Sequence, residues 1–336
     1  MIRHRTAVVV VALAAATMGV GAQSPVRTPS EAVTTDIEVL RVRDTVAMLA
    51  HPNGNVVVQT GEEGVLVVDA LGGAASDGLL RTIRTLSDGP VRYVVDTHLH
   101  ADHIGGNDAV ARSGRTRAGG NVVGNIGADA ASRAAIVAHE NVLTRLSAPT
   151  GSPSAVPFAM WPTETFFTGR KDLLFNGEAV QIIHQPSAHT DGDVLVFFRR
   201  ADVIATGDIF GTLTFPVIDV ANGGHVSGIV AGLNRIIDLA VPSNVEEGGT
   251  MIVPGHGRLC DEWEVVEYRD MVTIVRDRID AMIRRGLTLE QVRAAQPTFE
   301  YDARFGSGPG DGSTGSFVDA VYRGLSSVAN TRPPAR

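Results

Sequence analysis

Four imidazole or carboxylate groups occupy the six positions of the segment HLHADH, residues 98–103, directly after an apolar run. His98 and His100 are two residues apart, so on an extended backbone both side chains project to the same side. Asp102 and His103 belong to a tighter turn, which the following pair of glycines permits. Imidazole and carboxylate groups are common ligands of divalent transition metals. The segment therefore predicts a metal site at the end of a strand.

Three further candidate ligands stand where other predicted strands begin or end. His189 lies in PSAHTDGD before a strand, Asp208 follows a strand in VIATGDIF, and His256 follows one in MIVPGHG. Singly, each has an ordinary structural explanation, because a lone histidine is often structural and an aspartate after a strand often caps a turn. Together with residues 98–103 they supply five histidines and two aspartates, which is enough for two metal ions. The single cysteine, Cys260, is expected to pack in the core and not to bind metal.

The elements that must position these side chains are runs of strands alternating with helices. This order indicates two sheets with helices outside them, a four-layer α/β arrangement. The segment 151–165, rich in proline and glycine, is expected to be a loop and a candidate flap. Strands are predicted at 45–50, 55–60, 64–70, 91–96, 179–184, 193–199, 202–206 and 250–255, and helices at 76–86, 126–146, 226–240 and 261–285, with a last short helix after a loop at 304–316.

The N-terminal segment has the features of an export signal. It begins with basic residues, continues with an apolar run from Ala7 to about Val20, and ends with small residues. The run is short for a membrane span, which needs about 20 apolar residues. We predict a signal peptide at 1–22, a flexible leader at 23–40, and a folded domain with a C-terminal helical extension at 41–336, located in the periplasm or outside the cell. The alternative is an uncleaved anchor.

The composition excludes several classes of partner. The chain has 336 residues, a formal net charge of −8 and no long basic run, which argues against binding to nucleic acid. One cysteine cannot form an intrachain disulfide. After cleavage of the signal no stable membrane insertion is expected, and a small-molecule substrate is the predicted partner. The oligomeric state is not readable from the sequence.

The pattern HLHADH, followed in order by His189, Asp208 and His256, resembles the metallo-β-lactamase superfamily over roughly residues 45–285. The resemblance implies an αββα sandwich with the site along one edge. It also implies that the early Asp69, in GVLVVDA, supports the metal-binding loop from behind. In this family pattern, the first metal would be held by His98, His100 and His189, the second by Asp102, His103 and His256, and Asp208 would bridge both.

The aspartate at position 208 favours some activities of this superfamily over others. The β-lactamases of this superfamily usually carry cysteine or serine there, whereas aspartate is typical of glyoxalase II, lactonases and other hydrolases. The implied function is a secreted dinuclear metal-dependent hydrolase, in which a metal-bound hydroxide attacks the carbonyl of an ester, thioester, lactone or β-lactam. Zn²⁺ is the expected metal, although Fe or Mn also suits these ligands. Asp102 is the candidate catalytic residue, because it could move a proton while acting as a ligand.

Other readings of the same pattern stay open. An iron-dependent oxidoreductase of the same fold, similar to persulfide dioxygenases, uses similar ligands, and a β-lactamase proper is a further alternative. A non-catalytic binding protein of this fold would be expected to have lost ligands, and none is lost here. The roles of His51, His225 and the loop 148–165 are open, with a surface position favoured for His225. His184 is expected to be structural, and His139 is expected to lie solvated in a helix.

Overall fold

The computed structural model of the protein describes residues 37–116, 132–147, 154, 156–245, 248–306 and 310–331. The predicted signal peptide, most of the predicted leader, the start of the predicted helix at 126–146 and part of the loop at 148–165 lie outside these residues. Those assignments stay predictions. Among the described residues, no helix combines the length and the apolar character that a membrane span requires. The first strand begins at Glu38, shortly before the predicted domain boundary at residue 41.

The first sheet of the described residues contains seven strands in the order of the chain: β1 (Glu38–Arg43), β2 (Val46–His51), β3 (Gly54–Gly61), β4 (Gly64–Val68), β5 (Val91–Val95), β6 (Ala135–His139) and β7 (Glu164–Phe166). The first four strands are antiparallel, and short turns join them. From β4 to β7 the pairing is parallel. Parallel neighbours need crossover connections, and four described helices lie in these: α1 (Ser76–Leu86), α2 (Ala101–Ile104), α3 (Asn107–Arg112) and α4 (Glu140–Leu146).

The second sheet has five described strands: β8 (Arg170–Phe175), β9 (Glu178–His184), β10 (Val194–Phe198), β11 (Val203–Ala205) and β12 (Met251–Val253). The pairing of β11 with β12 is parallel, and the other pairings are antiparallel. The helix α5 (Val226–Leu239) lies in the connection between β11 and β12. Four described helices follow β12: α6 (Glu262–Arg284), α7 (Leu289–Ala294), α8 (Asp302–Phe305) and α9 (Thr314–Thr331).

Three apolar layers join these elements. Val57 of the first sheet and Val196 of the second belong to one buried cluster between the sheets. Leu79 of α1 packs with the opposite face of the first sheet, while Leu233 of α5 and Met271 of α6 pack with the opposite face of the second. The layer order is therefore helix, sheet, sheet, helix. The predicted αββα sandwich is confirmed.

The helix predicted at 126–146 is wrong over its described part before residue 140. Residues Ala135–His139 form β6, a central strand in which all five residues are buried, and only Glu140–Leu146 are helical. A strand covered on both faces shows an uninterrupted apolar run instead of alternation, and such a run is easily taken for part of a buried helix. The edge strands β1, β7 and β8 were not predicted, because few of their residues are buried, and β7 begins inside the segment 151–165 that was expected to be a loop.

The C-terminal helices also depart from the prediction. The final helix, α9, covers Thr314–Thr331 and is not short. The helices α7 and α8, which contain six and four residues, were not predicted. Helices of this length carry too few turns for a periodic apolar pattern to be recognised. In the described residues, α7, α8 and α9 follow α6 along the chain.

The prediction that His139 lies solvated in a helix is also wrong, because this residue is buried at the end of β6. Its ring stacks on that of His184, with ring centres 3.6 Å apart and planes inclined by 6°. The Nδ1 atom of His139 accepts a hydrogen bond from the backbone N–H of Asn141 and so caps α4. Burial, and then the neighbouring His184, lower the pKa of His139 to about 4.

Acidification is therefore expected to destabilise the protein partly through His139. In the unfolded chain the imidazole of His139 takes up a proton at about pH 6.5, whereas in the folded protein it stays neutral down to about pH 4. The contribution of neutral His139 to the free energy of unfolding is therefore fully present above about pH 6.5 and is lost as the pH falls toward 4. The His139→Asn variant keeps a capping acceptor but removes the titration. When the pH is lowered from 7 to 5, the free energy of unfolding should fall in both proteins. We expect the fall to be smaller in the variant by on the order of 1 kcal/mol. Urea unfolding at both pH values measures this difference, and equal losses would contradict the assignment.

Candidate metal centre

The HLHADH segment follows β5 and continues into the short helix α2, which begins at Ala101. The backbone at His100 is extended, with φ −72° and ψ 149°, and the N–H groups of His103 and Ile104 both donate to its carbonyl oxygen over 3.0 Å. This turn places His98 and His103 in the interior, each with a side chain 1% exposed. The backbone of the segment is thus extended as far as His100 and helical from Ala101 onward, and both parts direct predicted ligands into the site.

Three other strand ends bring the remaining residues to the same place. His189 lies in the loop between β9 and β10, Asp208 lies in the 3₁₀ turn Gly207–Ile209 after β11, and His256 follows β12. Because β11 and β12 are parallel neighbours, their carboxyl ends meet, and the Gly255 N–H donates to the Gly207 carbonyl over 2.9 Å. A Cβ atom at Gly255 would overlap Asp208 Oδ1, so only glycine allows this close approach.

The two carboxylate oxygens of Asp208 face different histidines. Oδ1 lies 3.4 Å from His103 Nε2 and 3.5 Å from His256 Nε2. Oδ2 lies 3.8 Å from His189 Nε2 and 3.9 Å from His98 Nε2. The carboxylate thus stands between two sets of imidazole nitrogens and presents one oxygen to each set.

All seven side chains predicted as ligands converge at this place. His189 Nε2 lies 2.8 Å from His100 Nδ1, and Asp102 Oδ2 lies 3.4 Å from His256 Nε2. Three groups among the described residues have candidate ligand atoms that all lie within 4.8 Å of one another: His98, His100 and His189; His98, His103 and Asp208; and Asp102, His103 and His256.

The polar atoms at the centre of this cluster fit a bound cation. His98 Nε2, His103 Nε2 and Asp208 Oδ1 are buried and have no hydrogen-bond partner. Leaving such atoms unpaired in the interior is costly, and all three belong to one group of potential ligand atoms. Imidazole nitrogen together with carboxylate oxygen is a donor set that binds divalent transition metals. The chemistry of the site is therefore that of a metal centre.

Asp69 supports this centre from behind, at the position implied by the family resemblance. Its side chain is 4% exposed, and Oδ2 accepts hydrogen bonds from His103 Nδ1 and Thr97 Oγ1, both over 2.8 Å. Oδ1 accepts from the Thr97 backbone N–H over 2.8 Å. A hydrogen bond at Nδ1 fixes the ring orientation of His103 and leaves its Nε2 directed at Asp208. Asp69 also has a left-handed backbone, with φ 62°.

Two further supports were not predicted from the sequence. Asp219 Oδ2 lies 2.9 Å from His100 Nε2, and the Val217 carbonyl lies 2.8 Å from His189 Nδ1. Each contact orients the opposite nitrogen of the ring toward the cluster. Asp219 stands 119 residues from His100 along the chain, so no local spacing could have revealed the pair. The only feature of the sequence that pointed to Asp219 was the presence of a carboxylate in the loop after Asp208.

The charges of the cluster depend on one another. Burial raises the pKa of the Asp208 carboxyl, but His103 and the other histidines outweigh this effect and hold its pKa well below the usual value. Burial lowers the pKa of His256, but Asp102 and Asp208 raise it to about 9. Burial, and then His103, lower the pKa of His98 far below 6.5. Divalent cations bind the neutral form of imidazole, so a cation entering this site would displace protons held between the carboxylates and His103 or His256.

A cavity of about 480 Å³ opens onto the cluster. Its described lining includes five residues of the cluster and a mostly apolar wall from the segment 210–217: His100, Asp102, His189, Asp208 and His256, with Phe210, Leu213, Phe215, Pro216 and Val217. Outside the histidine–aspartate cluster, Asp311 is the only charged residue among the described lining residues, and that lining contains no lysine or arginine. The size is typical of a site for a small organic molecule.

The other residues considered at the sequence level have structural contacts. Nδ1 of His225 accepts a hydrogen bond from the Ser227 N–H and caps α5. His184 donates from Nε2 to the Asp191 carbonyl over 2.8 Å, in agreement with its expected structural role. Nδ1 of His51 accepts from the Asn53 N–H in the β2–β3 turn. Cys260 is buried in the cluster that covers the second sheet, as expected.

The model of the metallo-beta-lactamase superfamily matches residues 51–257 of the chain. A linear primary-alkylsulfatase from Pseudomonas sp. is 25% identical over 272 residues, which are 73% of this chain and 48% of that protein. The chain therefore spans about half the length of this relative.

Solved structures show the same fold. An inverting sec-alkylsulfatase from Pseudomonas sp. superposes with a TM-score of 0.58 and 15% identity, over 89% of this chain and 52% of that one. A metallo-β-lactamase from Pontibacter korlensis superposes with a TM-score of 0.50 and 16% identity, over 71% of this chain and 99% of that one. The family match covers the region that carries all seven clustered side chains. On this evidence, the chain belongs to the metallo-β-lactamase superfamily.

Proposed function

We propose that the protein is a dinuclear metal-dependent hydrolase that cleaves a carbonyl ester, thioester, lactone or lactam bond. The observation that supports this most strongly is the position of Asp208, whose Oδ1 faces His103 and His256 while Oδ2 faces His98 and His189. A carboxylate placed in this way can bridge two cations. The arrangement requires no serine or cysteine nucleophile from the protein.

The residues divide into two sets of ligands around that carboxylate. His98, His100 and His189 would hold one ion, and Asp102, His103 and His256 would hold the other. Nitrogen and oxygen donors without thiolate suit Zn²⁺, with Fe and Mn as alternatives. Bound divalent ions supply Lewis acidity toward a carbonyl oxygen and lower the pKa of water from 15.7 toward about 7.

The protein's own groups orient the ligands and can move a proton. Asp69 and Asp219 hold His103 and His100 by their distal nitrogens. Asp102 has the most exposed side chain among the ion-paired members of the cluster, at 43%, and it lines the cavity. We therefore assign to Asp102 the additional task of receiving the proton released when a nucleophile forms, and of returning it to the leaving group.

A second candidate function is hydrolysis of a sulfate ester, and the alkylsulfatase relatives favour it. A sulfate ester keeps a negative charge that a protein usually binds with arginine or lysine. The described lining of the cavity at the cluster has neither. The carboxylate that β-lactams carry would also lack a cationic partner in this lining. A neutral carbonyl substrate suits this lining better than either anion, and the one arginine in the described lining of the adjoining cavity, Arg323, lies outside it.

Chelation and a substrate panel test these alternatives. We expect the zinc-loaded protein to hydrolyse neutral p-nitrophenyl esters or lactones, and a chelator to abolish this activity until zinc is restored. Values of kcat/KM for nitrocefin and for alkyl sulfates should be at least about tenfold lower than those for the neutral esters, because the described lining of this cavity offers neither anion a cationic side chain. Faster release of inorganic sulfate would instead favour the sulfatase. Iron in the native protein together with oxygen consumption would favour an oxidoreductase.

A further inference from the structure

The cavity at the metal ligands has an apolar wall that comes from one segment of the chain. Phe210, Leu213, Phe215, Pro216 and Val217 all line the cavity that also contains Asp208 and His256. Phe210 and Phe215 are fully buried, whereas Leu213 is 56% exposed. A large aliphatic side chain that is exposed beside a binding site offers apolar surface that a ligand can cover.

Elements from the C-terminal part of the chain hold this wall in place. The Phe215 ring stacks on Phe317 of α9, with ring centres 5.0 Å apart and planes inclined by 7°. The Phe215 N–H donates to the Phe305 carbonyl over 3.2 Å, and Tyr268 donates from its hydroxyl to the Thr214 carbonyl over 3.0 Å. These three partners lie beyond residues 51–257, the region that matches the family. The wall is thus a feature that the additional helices of this chain support.

Space for a longer substrate continues past the wall. A second cavity of about 480 Å³ shares His100, Pro216, Val217 and Asp311 with the first. It extends along α9, and its lining there is mixed, with Phe317 and Ala320 beside Asp319 and Arg323. The two cavities therefore adjoin at the end of the apolar wall, so an apolar chain attached to a group at the metal centre is expected to lie along the wall itself and not among the charged side chains of the second cavity.

We propose that the apolar acyl chain of a neutral ester binds against the wall 210–217, and that Leu213 is a specificity-determining residue. The inference rests on the proposed ester hydrolysis and names the substrate class, medium-chain acyl esters. Transfer of one methylene from water to an apolar surface favours binding by up to about fourfold. Acetate esters, whose acyl group is too short to reach along the wall, should therefore be poorer substrates than hexanoate or octanoate esters.

The test uses the zinc-loaded full chain with p-nitrophenyl acetate, butyrate, hexanoate and octanoate. We expect kcat/KM for octanoate to exceed that for acetate by at least about tenfold. The Leu213→Ser variant should reduce this ratio by about five- to tenfold, mainly through KM for the longer esters, and Leu213→Met should restore it. The matched control is Leu174→Ser, because Leu174 is 81% exposed on the edge strand β8. That variant should keep the wild-type ratio.

Each outcome has a distinct meaning. Equal kcat/KM values along the acyl series, or an unchanged ratio in Leu213→Ser, would overturn the assignment of the wall while leaving ester hydrolysis intact. A reduced ratio in Leu174→Ser as well would show a general effect of surface hydrophobicity and would also overturn it. The absence of zinc-dependent turnover of every ester by the wild type would instead overturn the proposed function, and with it this inference.

Discussion

Replacement of Asp208 by alanine is expected to lower kcat/KM of the zinc-loaded protein by at least about a thousandfold. Asp208 is the only residue of the cluster whose two oxygens face both sets of imidazoles. Its loss removes the carboxylate that stands between the two sets of imidazoles, and it leaves Asp102 and Asp69 beside His103 but no carboxylate between the two sets. The fold should survive, because the apolar layers that join the sheets do not include this side chain.

The measurement combines steady-state kinetics, zinc content by mass spectrometry, and circular dichroism of the same preparations. Asp88→Ala is a matched control, since Asp88 is an exposed aspartate far from the cluster, between α1 and β5. It should keep the wild-type activity and zinc content. His103→Ala should also abolish turnover with little change in the fold. Full activity in both the Asp208→Ala and the His103→Ala variants would reject the two-metal mechanism.

Asp69→Asn is expected to weaken zinc binding by about ten- to a hundredfold, although Asp69 is not a proposed ligand. The carboxylate accepts from His103 Nδ1 and from two donors of Thr97. An amide nitrogen cannot accept a hydrogen bond. One orientation of asparagine therefore loses the acceptor for both His103 and the Thr97 hydroxyl, and the other loses the acceptor for the Thr97 N–H. Asparagine also tolerates the left-handed backbone at this position, which limits the direct effect on folding.

Competition with a chromophoric chelator measures the zinc affinity. Asp202→Asn is a close control, because Asp202 also has a left-handed backbone, with φ 53°, and accepts a hydrogen bond from the Thr250 hydroxyl over 2.9 Å. It lies in the turn before β11, at the end of that strand opposite Asp208. The control should bind zinc as the wild type does. If both variants bind zinc equally well, Asp69 does not position His103 in the way described.

The layer order and the convergence of the seven side chains could be predicted because both depend on local rules. The HLHADH segment is contiguous, and His189, Asp208 and His256 each stand beside a strand with a strong apolar signal. In a layered α/β protein, the loops at one edge of the sheets meet. Predicted strand positions were therefore sufficient to place these residues together, even where the predicted boundaries differed from the observed ones by a residue or two.

The remaining features depend on tertiary contacts that carry no local signal. The contact of Asp219 with His100 joins residues from different halves of the chain. The sequence of the strand β6 is easily mistaken for part of a helix, because burial on both faces removes the alternation of apolar and polar residues that identifies a strand. His139 was misplaced for the same reason. The apolar wall could not be recognised either, since Phe215 and Phe317 meet only after the C-terminal helices have packed.

The segment that forms the apolar wall also reaches the metal centre. Its last residue, Val217, accepts from His189, and Asp219 follows two positions later and contacts His100. A ligand that moves these contacts is therefore expected to change the free energy of cation binding, and thermodynamic reciprocity then requires that the cation change the affinity for that ligand by the same factor. Metal-loaded and metal-free protein should consequently differ in their affinity even for apolar molecules that never touch the ions.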